Sequence, residues 1–149
     1  MSRMIHVKTF DELTTSELYE IIKLRIVVFV VEQNCPYPET DDLDQVAHHV
    51  LYYKGEELIA YSRILPDDTK YDVPSIGRIV VKKAFRGTEV GAILIKKSIE
   101  AVYERFGKTT IKIAAQQPLK AYYEQFGFRQ ISEMYLEDDI PHVDMSRSA

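Results

Sequence analysis

The chain of 149 residues has no tryptophan and one cysteine, Cys35. A lone cysteine cannot form a disulfide within the chain, so we expect a reducing, cytoplasmic environment. The sequence also lacks an apolar run of the ~18 residues that a membrane-spanning helix needs, and its N-terminus lacks a signal-peptide core, so we expect no membrane association. Basic residues are outnumbered, 19 against 23 acidic ones, and the net charge of −4 argues against a nucleic-acid-binding surface.

The composition is typical of a soluble globular protein, with 46% hydrophobic and 28% charged residues. It has no internal repeat, no low-complexity tract and no linker-like segment. Its length suffices to bury one hydrophobic core. We therefore expect a single domain over residues 1–149.

Hydrophobic periodicity and turn residues predict a mixture of strands and helices. Thr14 and Glu17 have capping-box spacing, so a helix should begin there. The apolar run at 27–31 should be buried whichever way it folds, and Gly107 and Gly127 should each end a helix. The predicted strands are 4–9, 46–53, 57–65, 76–81, 109–115 and a final pair from 128–136 and 143–146, and the later helices are 91–106 and 118–126.

A strand, a turn with small residues and a helix N-terminus follow one another within residues 76–95. This arrangement can bind a phosphate, because the first N–H groups of a helix have no intrahelical acceptor and the helix dipole adds positive potential. Lys82, Lys83 and Arg86 would add charge at the mouth of the turn. The alternative is an ordinary strand–helix connection in which glycine merely relieves steric strain. The segment has neither a Walker loop nor the third glycine of a dinucleotide fingerprint.

A second segment, residues 121–128, reads AYYEQFGF. By itself it predicts a short helix whose aromatic side chains fill the core and whose glycine ends the helix. In combination, a phosphate-binding turn after a strand and a Tyr-x-x-x-Gly-Phe helix about thirty residues later resemble the GNAT superfamily of acetyl-CoA-dependent N-acetyltransferases.

The two segments match the motifs of that superfamily in part. The Arg/Gln-x-x-Gly-x-Gly/Ala motif falls on residues 86–91, with Glu89 in place of its first glycine. The Asn-x-x-Ala-x-x-x-Tyr motif falls on Gln116, Leu119 and Tyr123, and the tyrosine is the one marked residue that is kept.

Further segments are similar to the ElaA-like branch of the superfamily, whose members are small bacterial proteins. The resemblance implies a mixed α/β, GNAT-like fold, in which about four helices flank a central, mostly antiparallel twisted sheet with a splayed parallel strand pair. The matching segments extend over nearly the whole chain: VFVVEQNCPY at 28–37, the acidic loop after it, His49, Gly77-Arg78, Ala115-Gln116 and Ile140-Pro141-His142.

The resemblance also implies a site for acetyl-CoA as cosubstrate, and no metal. The pantetheine arm would lie along residues 79–81, with the N–H of Val81 polarising the thioester carbonyl. Tyr123 matches the family's usual general acid, and Tyr122 beside it is expected to pack. The implied CoA-binding residues are Ile79, Val80, Val81, Arg86, Gly87, Thr88, Glu89, Val90, Gly91, Ala92, Gln116 and Tyr123.

The general base is open, because Gly77 and Arg78 stand where many relatives place a carboxylate. The candidates are His142, since histidine titrates near neutral pH, and Glu32, which could hold a cationic amine. The alternatives are that Glu32 forms a structural ion pair with Arg78 and that His142 merely packs.

Two functions follow from the resemblance. One is an N-acetyltransferase that acts on the primary amine of a small molecule or peptide by direct attack, and the other is a non-catalytic acyl-CoA-binding module that acts as a sensor or interaction partner. Because GNAT chemistry proceeds by direct attack, Cys35 is interpreted as a packing residue. The acidic loop 39–44 either favours a cationic substrate or is simply solvated. A homodimer is what many small relatives suggest, and the sequence leaves the oligomeric state open.

Overall fold

The computed structural model describes residues 2–149 and confirms the predicted mixed α/β fold. The sequence predicts about four helices, and the described residues form three α-helices and a π-helical segment. The strands are β1 (Arg3–Thr9), β2 (His48–Lys54), β3 (Glu57–Leu65), β4 (Ser75–Val81), β5 (Ile111–Gln116), β6 (Arg129–Gln130), β7 (Tyr135–Glu137) and β8 (Ile140–Arg147); the helices are α1 (Thr15–Arg25), the π-helical segment (Ile26–Glu32), α2 (Val90–Phe106) and α3 (Lys120–Glu124).

The strands form one mostly antiparallel sheet in the order β1-β2-β3-β4-β5-β8-β6, and β7 also pairs with β8. β4 and β5 are parallel, as predicted, and within residues 2–149 they pair only between Ser75 and Lys112. After this point the two strands separate, so the sheet opens between them.

A β-bulge bends β4 where it leaves β5. The register against β3 shifts between Tyr61 and Arg63, and Arg78 on β4 has a φ of +48°. A side chain with a Cβ rarely adopts this conformation, so surrounding contacts must hold it. The Arg78 guanidinium donates to Glu39 at 2.7 Å. The opening in the sheet is therefore stabilised by an ion pair as well as by strand pairing.

α1 begins where its sequence predicts, but the apolar run that follows the helix is not buried as predicted. The Thr14 hydroxyl accepts from the N–H of Glu17, and the Glu17 carboxylate accepts from the N–H of Thr14, which completes the capping box. The run 27–31 was expected to be buried, but Val27 is 42% and Val31 66% exposed. Consecutive residues of a helical turn point to all sides, so a helix on one face of a sheet cannot bury five of them in a row.

α2 lies against the sheet and supplies much of the core. Its buried residues include Leu94, Ile95 and Val102, which recur at helical spacing and pack with strand residues such as Ile113. Gly107, with a φ of +81°, ends the helix as predicted. Within residues 2–149, no helix combines the length and the apolarity that crossing a membrane requires.

The C-terminal segment forms three strands instead of the predicted pair, and β8 is longer than the predicted strand 143–146. The segment 128–136 forms two separate strands, β6 and β7, because both pair with different parts of the long β8. The β7–β8 turn contains Asp138 and Asp139, both with positive φ. This hairpin reaches back towards the gap between β4 and β5.

Candidate functional site

A cavity of about 430 Å³ lies at the gap between β4 and β5. Its walls come from the π-helical segment, both separated strands, α3 and the β7–β8 hairpin. The cavity brings together residues that the sequence analysis selected from distant segments: Glu32, Val81, Arg86, Gln116, Tyr123 and His142 all line it, as do Ile79 and Val80.

Val81, the last residue of β4, turns its backbone polar groups away from β3. The next residue, Lys82, donates its N–H to Ile59 of β3 at 2.8 Å, whereas the Val81 carbonyl accepts from Arg86 Nε at 3.0 Å. The N–H and C=O of one strand residue point to the same side. The N–H of Val81 therefore faces the gap, where a bound carbonyl could accept from it.

The turn after β4 is organised by Thr88. Its hydroxyl donates to the Phe85 carbonyl at 2.6 Å and accepts from the N–H of Val90 at 3.3 Å. Gly87 has a φ of +75°, which a residue without a side chain adopts easily. The residues from Gly87 to Ala92 are not part of the cavity lining, so only Arg86 of the turn reaches the cavity.

Glu89, the acidic residue at a glycine position of the motif, immediately precedes α2. Its carboxylate pairs with Arg3 at 2.8 Å and is largely exposed. The hydrogen bond from its own N–H and the contact with Arg3 hold the pKa of Glu89 below its usual value. At neutral pH this residue therefore places a negative charge beside the helix N-terminus.

Gly91 allows a close approach between α2 and α3. A Cβ at this position would lie 2.9 Å from the Tyr122 hydroxyl. Tyr122 contacts the start of α2 rather than the cavity, which agrees with a packing role, while Tyr123 faces the cavity.

The Tyr123 side chain is 7% exposed, and its hydroxyl has no hydrogen-bond partner among residues 2–149. Burial, with a smaller contribution from Tyr122, raises the pKa of Tyr123 well above its ordinary value. The phenol is therefore protonated at neutral pH and is a weaker acid than an exposed tyrosine, so it can donate a hydrogen bond to a group in the cavity and would give up its proton only to a strongly basic one.

The hydrogen bond of His142 determines which ring nitrogen is free. Nδ1 lies 2.7 Å from the Ile140 carbonyl, which can only accept, so Nδ1 carries the hydrogen. Nε2 of the neutral ring then has a free lone pair, 3.6 Å from the Glu137 carboxylate. The Tyr135 ring stacks on the imidazole at a centroid distance of 6.0 Å. His142 is thus oriented to accept a proton at Nε2.

One alternative for Glu32 was a structural ion pair with Arg78, and the structure contradicts it. The Glu32 carboxylate binds Arg86 Nη2 at 2.8 Å, and Arg78 binds Glu39 instead. The Glu32 carboxylate is 29% exposed, but it is occupied by this ion pair. Arg86 bridges Glu32 and the Val81 carbonyl at the edge of the cavity.

Three of the four carboxylates of the acidic loop are held in ion pairs, so the loop is mostly neither solvated nor free for a substrate, whereas the fourth, Asp42, is exposed. Glu39 and Asp44 are buried, and they bind Arg25 Nε and Nη1 at 2.8 and 2.7 Å. Asp41 binds Arg63 at 2.7 Å. The sequence carries one signal of this network, since Arg25 occupies an apolar position of the α1 pattern.

Cys35 lies outside the cavity lining and donates its S–H to the Asp138 carbonyl at 3.3 Å. Burial and the nearby Asp138 and Asp139 raise the pKa of the thiol, which disfavours the nucleophilic thiolate. Among residues 2–149 there is no group of three or more histidine, cysteine, aspartate or glutamate residues that could hold a metal ion.

Comparisons with known proteins identify the family and the fold. Residues 25–149 match the family described as acetyltransferase (GNAT) domain. Protein ElaA of Escherichia coli K12 is 43% identical over 139 residues, which cover 92% of this chain and 91% of that protein. The crystal structure of an acyl-CoA N-acyltransferase from Pseudomonas aeruginosa superimposes with a TM-score of 0.94 at 40% identity, covering 99% of this chain and 100% of that one. The crystal structure of E. coli ElaA gives a TM-score of 0.93 at 38% identity, with the same coverage.

Proposed function

Since the chain belongs to the family of GNAT acetyltransferase domains, we propose that it transfers an acetyl group from acetyl-CoA to a primary amine of a small molecule or peptide, as a single domain in the cytoplasm. Membership of an acyltransferase family supports acyl-CoA as the donor. The observation that carries the proposal is that one cavity contains an N–H donor at Val81, a protonated phenol at Tyr123 and a free Nε2 at His142.

The residues at the open edge of β4 fit the donor. The backbone of Ile79 to Val81 lines the cavity, and the separation of β4 from β5 leaves space beside it for an extended chain with amide groups. Arg86 and Gln116 lie at the same cavity, and the turn from Gly87 to Ala92 would hold the diphosphate. Bound acetyl-CoA would supply an activated thioester.

Each group at the cavity has one role in the proposed reaction. Val81 N–H stabilises the oxyanion on the thioester carbonyl. His142 Nε2 removes one proton from the acceptor ammonium, and the amine lone pair then forms the new N–C bond while the C–S bond breaks. Tyr123 protonates the departing thiolate, and the second proton lost by the nitrogen restores the phenol. Glu32 holds Arg86 rather than acting as base, because its carboxylate is already paired.

A non-catalytic acyl-CoA-binding module is the second candidate. One observation favours it: β4 carries Gly77 and Arg78 and so offers no carboxylate at that position that could act as base. Glu89 beside the start of α2, and Arg86, which occupies the Val81 carbonyl, would weaken CoA binding in either function. Acetyl-CoA would have to displace Arg86 from that carbonyl in order to pair with the strand edge.

Thiol release from acetyl-CoA over a panel of amines, with Tyr123→Phe as the test variant, distinguishes the two. We expect kcat of Tyr123→Phe to fall about 100-fold, with little change in the KM for acetyl-CoA, because the ring still fills its site. Tyr122→Phe is the matched control and should keep wild-type kcat. Thermal stabilisation by CoA without any thiol release would favour the binding module, and the absence of stabilisation by CoA would exclude both.

A further inference from the structure

Two further walls of the cavity lie outside the residues assigned to the acetyl-CoA donor. They are formed by the loop between β3 and β4 and by the β7–β8 hairpin. We call this region the acceptor end, and its defining residues are Lys70, Tyr71, Ser75, Glu137, Asp138 and His142.

One carboxylate holds both walls in place. The hydroxyls of Tyr71, from the loop, and Tyr135, from the hairpin, both donate to the same oxygen of Asp144 on β8, each at 2.7 Å. The loop is also bound to β5, because Lys112 pairs with Asp72 at 2.8 Å. The loop that carries Lys70 and the hairpin are thereby both attached to Asp144 of β8.

Most charges around the acceptor end are already paired. Arg63 and Arg78 are held by Asp41 and Glu39. The Lys70 ammonium lies over the Tyr71 ring at 5.7 Å and forms no ion pair within residues 2–149.

The opposite wall carries unpaired negative charge. Glu137 lies 3.6 Å from His142 Nε2, which carries no hydrogen in the neutral ring, and in the described part of the chain neither the Glu137 nor the Asp138 carboxylate pairs with a lysine or arginine. The acceptor end therefore presents one positive group on the loop side and two negative groups on the hairpin side.

We propose that the acceptor is an amine that also carries a carboxylate, as an amino acid does; this inference rests on the proposed function. The ammonium would lie beside Glu137 and Asp138, within reach of His142 Nε2, and the carboxylate would face Lys70. A diamine would meet repulsion at Lys70, and a simple amine would leave Lys70 without a partner. The two walls together thus select for a zwitterion.

Matched pairs of acceptors test this directly. Each pair consists of an L-amino acid and the amine that lacks only its carboxylate, such as leucine with isoamylamine and phenylalanine with phenethylamine. We expect kcat/KM for thiol release from acetyl-CoA to be about tenfold higher for the amino acid. Lys70→Ala should remove this preference by lowering the amino-acid value alone, and Lys70→Glu should reverse it. Lys108→Ala, an exposed lysine outside the cavity lining, is the matched control.

Calorimetric titration of the same pairs into the CoA-saturated protein separates this inference from the proposed function. A binding preference for the amino acid that depends on Lys70 supports the inference even if no thiol is released. The absence of thiol release would count against acetyl transfer and not against this inference. Equal binding and equal turnover of the two members of each pair would overturn it, as would a preference that survives in Lys70→Ala.

Discussion

Hydrogen bonding and burial, rather than residue type alone, distinguish the two proton-transfer groups proposed for the cavity. Tyr123 is buried without a partner among residues 2–149, and burial keeps its phenol protonated. His142 has its Nδ1 hydrogen fixed on the Ile140 carbonyl, which leaves Nε2 free. Glu32, by contrast, has its carboxylate held by Arg86. Glu32 and His142 were open alternatives for the base in the sequence, and they become chemically different through their contacts.

His142→Gln and Glu32→Gln together test the assignment of the base. We expect kcat/KM of His142→Gln to fall about 100-fold, because glutamine keeps a polar group but cannot remove a proton. The fold-loss of kcat/KM in Glu32→Gln should be at least ten times smaller, since the Glu32 carboxylate only positions Arg86. Thiol release at saturating acetyl-CoA measures both. His48→Gln, a histidine outside the cavity lining, should match the wild type. A larger loss in Glu32→Gln would reverse the two roles.

The turn between β4 and α2 could be predicted in outline because its determinants are local. Glycine, threonine and the start of a helical pattern lie within a few residues of one another, as do the capping residues of α1. The π-helical segment could not be predicted in this way. Its apolar run fits a buried strand or a helix equally well, and packing against the sheet decides between them.

Glu89→Gln tests the proposal that the N-terminus of α2 holds the CoA diphosphate. Removing a negative charge from a helix N-terminus should strengthen CoA binding about two- to fivefold, and added salt should reduce the gain. Glu100→Gln is a matched control, because it also removes an exposed carboxylate that pairs with a basic residue, Lys97, but one that lies within α2 rather than before its N-terminus. Calorimetric titration of CoA into each variant gives the Kd values. An equal gain in both variants would indicate a general effect of net charge rather than a contact at the turn.

At the scale of the whole molecule, a buried ion network joins segments that are far apart in the sequence. Arg25 of α1, Arg63 of β3 and Arg78 of β4 share the carboxylates of the acidic loop. The sequence shows an acidic loop and scattered arginines, but no local pattern indicates which charges meet. The network could therefore not be predicted, although the mostly antiparallel sheet with its parallel strand pair and several residues of the cavity lining could. It holds the bulge in β4 and so stabilises the wall of the cavity.

This network should make the fold sensitive to acid. Burial alone would raise the pKa of Asp41, but its hydrogen bonds and ion pair with Arg63 lower it to about 2, from 3.8. The folded pKa is the lower one, so this carboxylate contributes about 2 kcal/mol that is fully present above pH 4 and is lost as the pH falls from about 4 to 2. Asp41→Asn should therefore lower the free energy of unfolding at pH 7 by about that amount, and the difference from the wild type should disappear near pH 2. Urea unfolding at a series of pH values measures it. Asp42→Asn, at the exposed neighbouring position, should follow the wild type, and a difference at Asp41 that stays constant down to pH 2 would mean that the ion pair is not its cause.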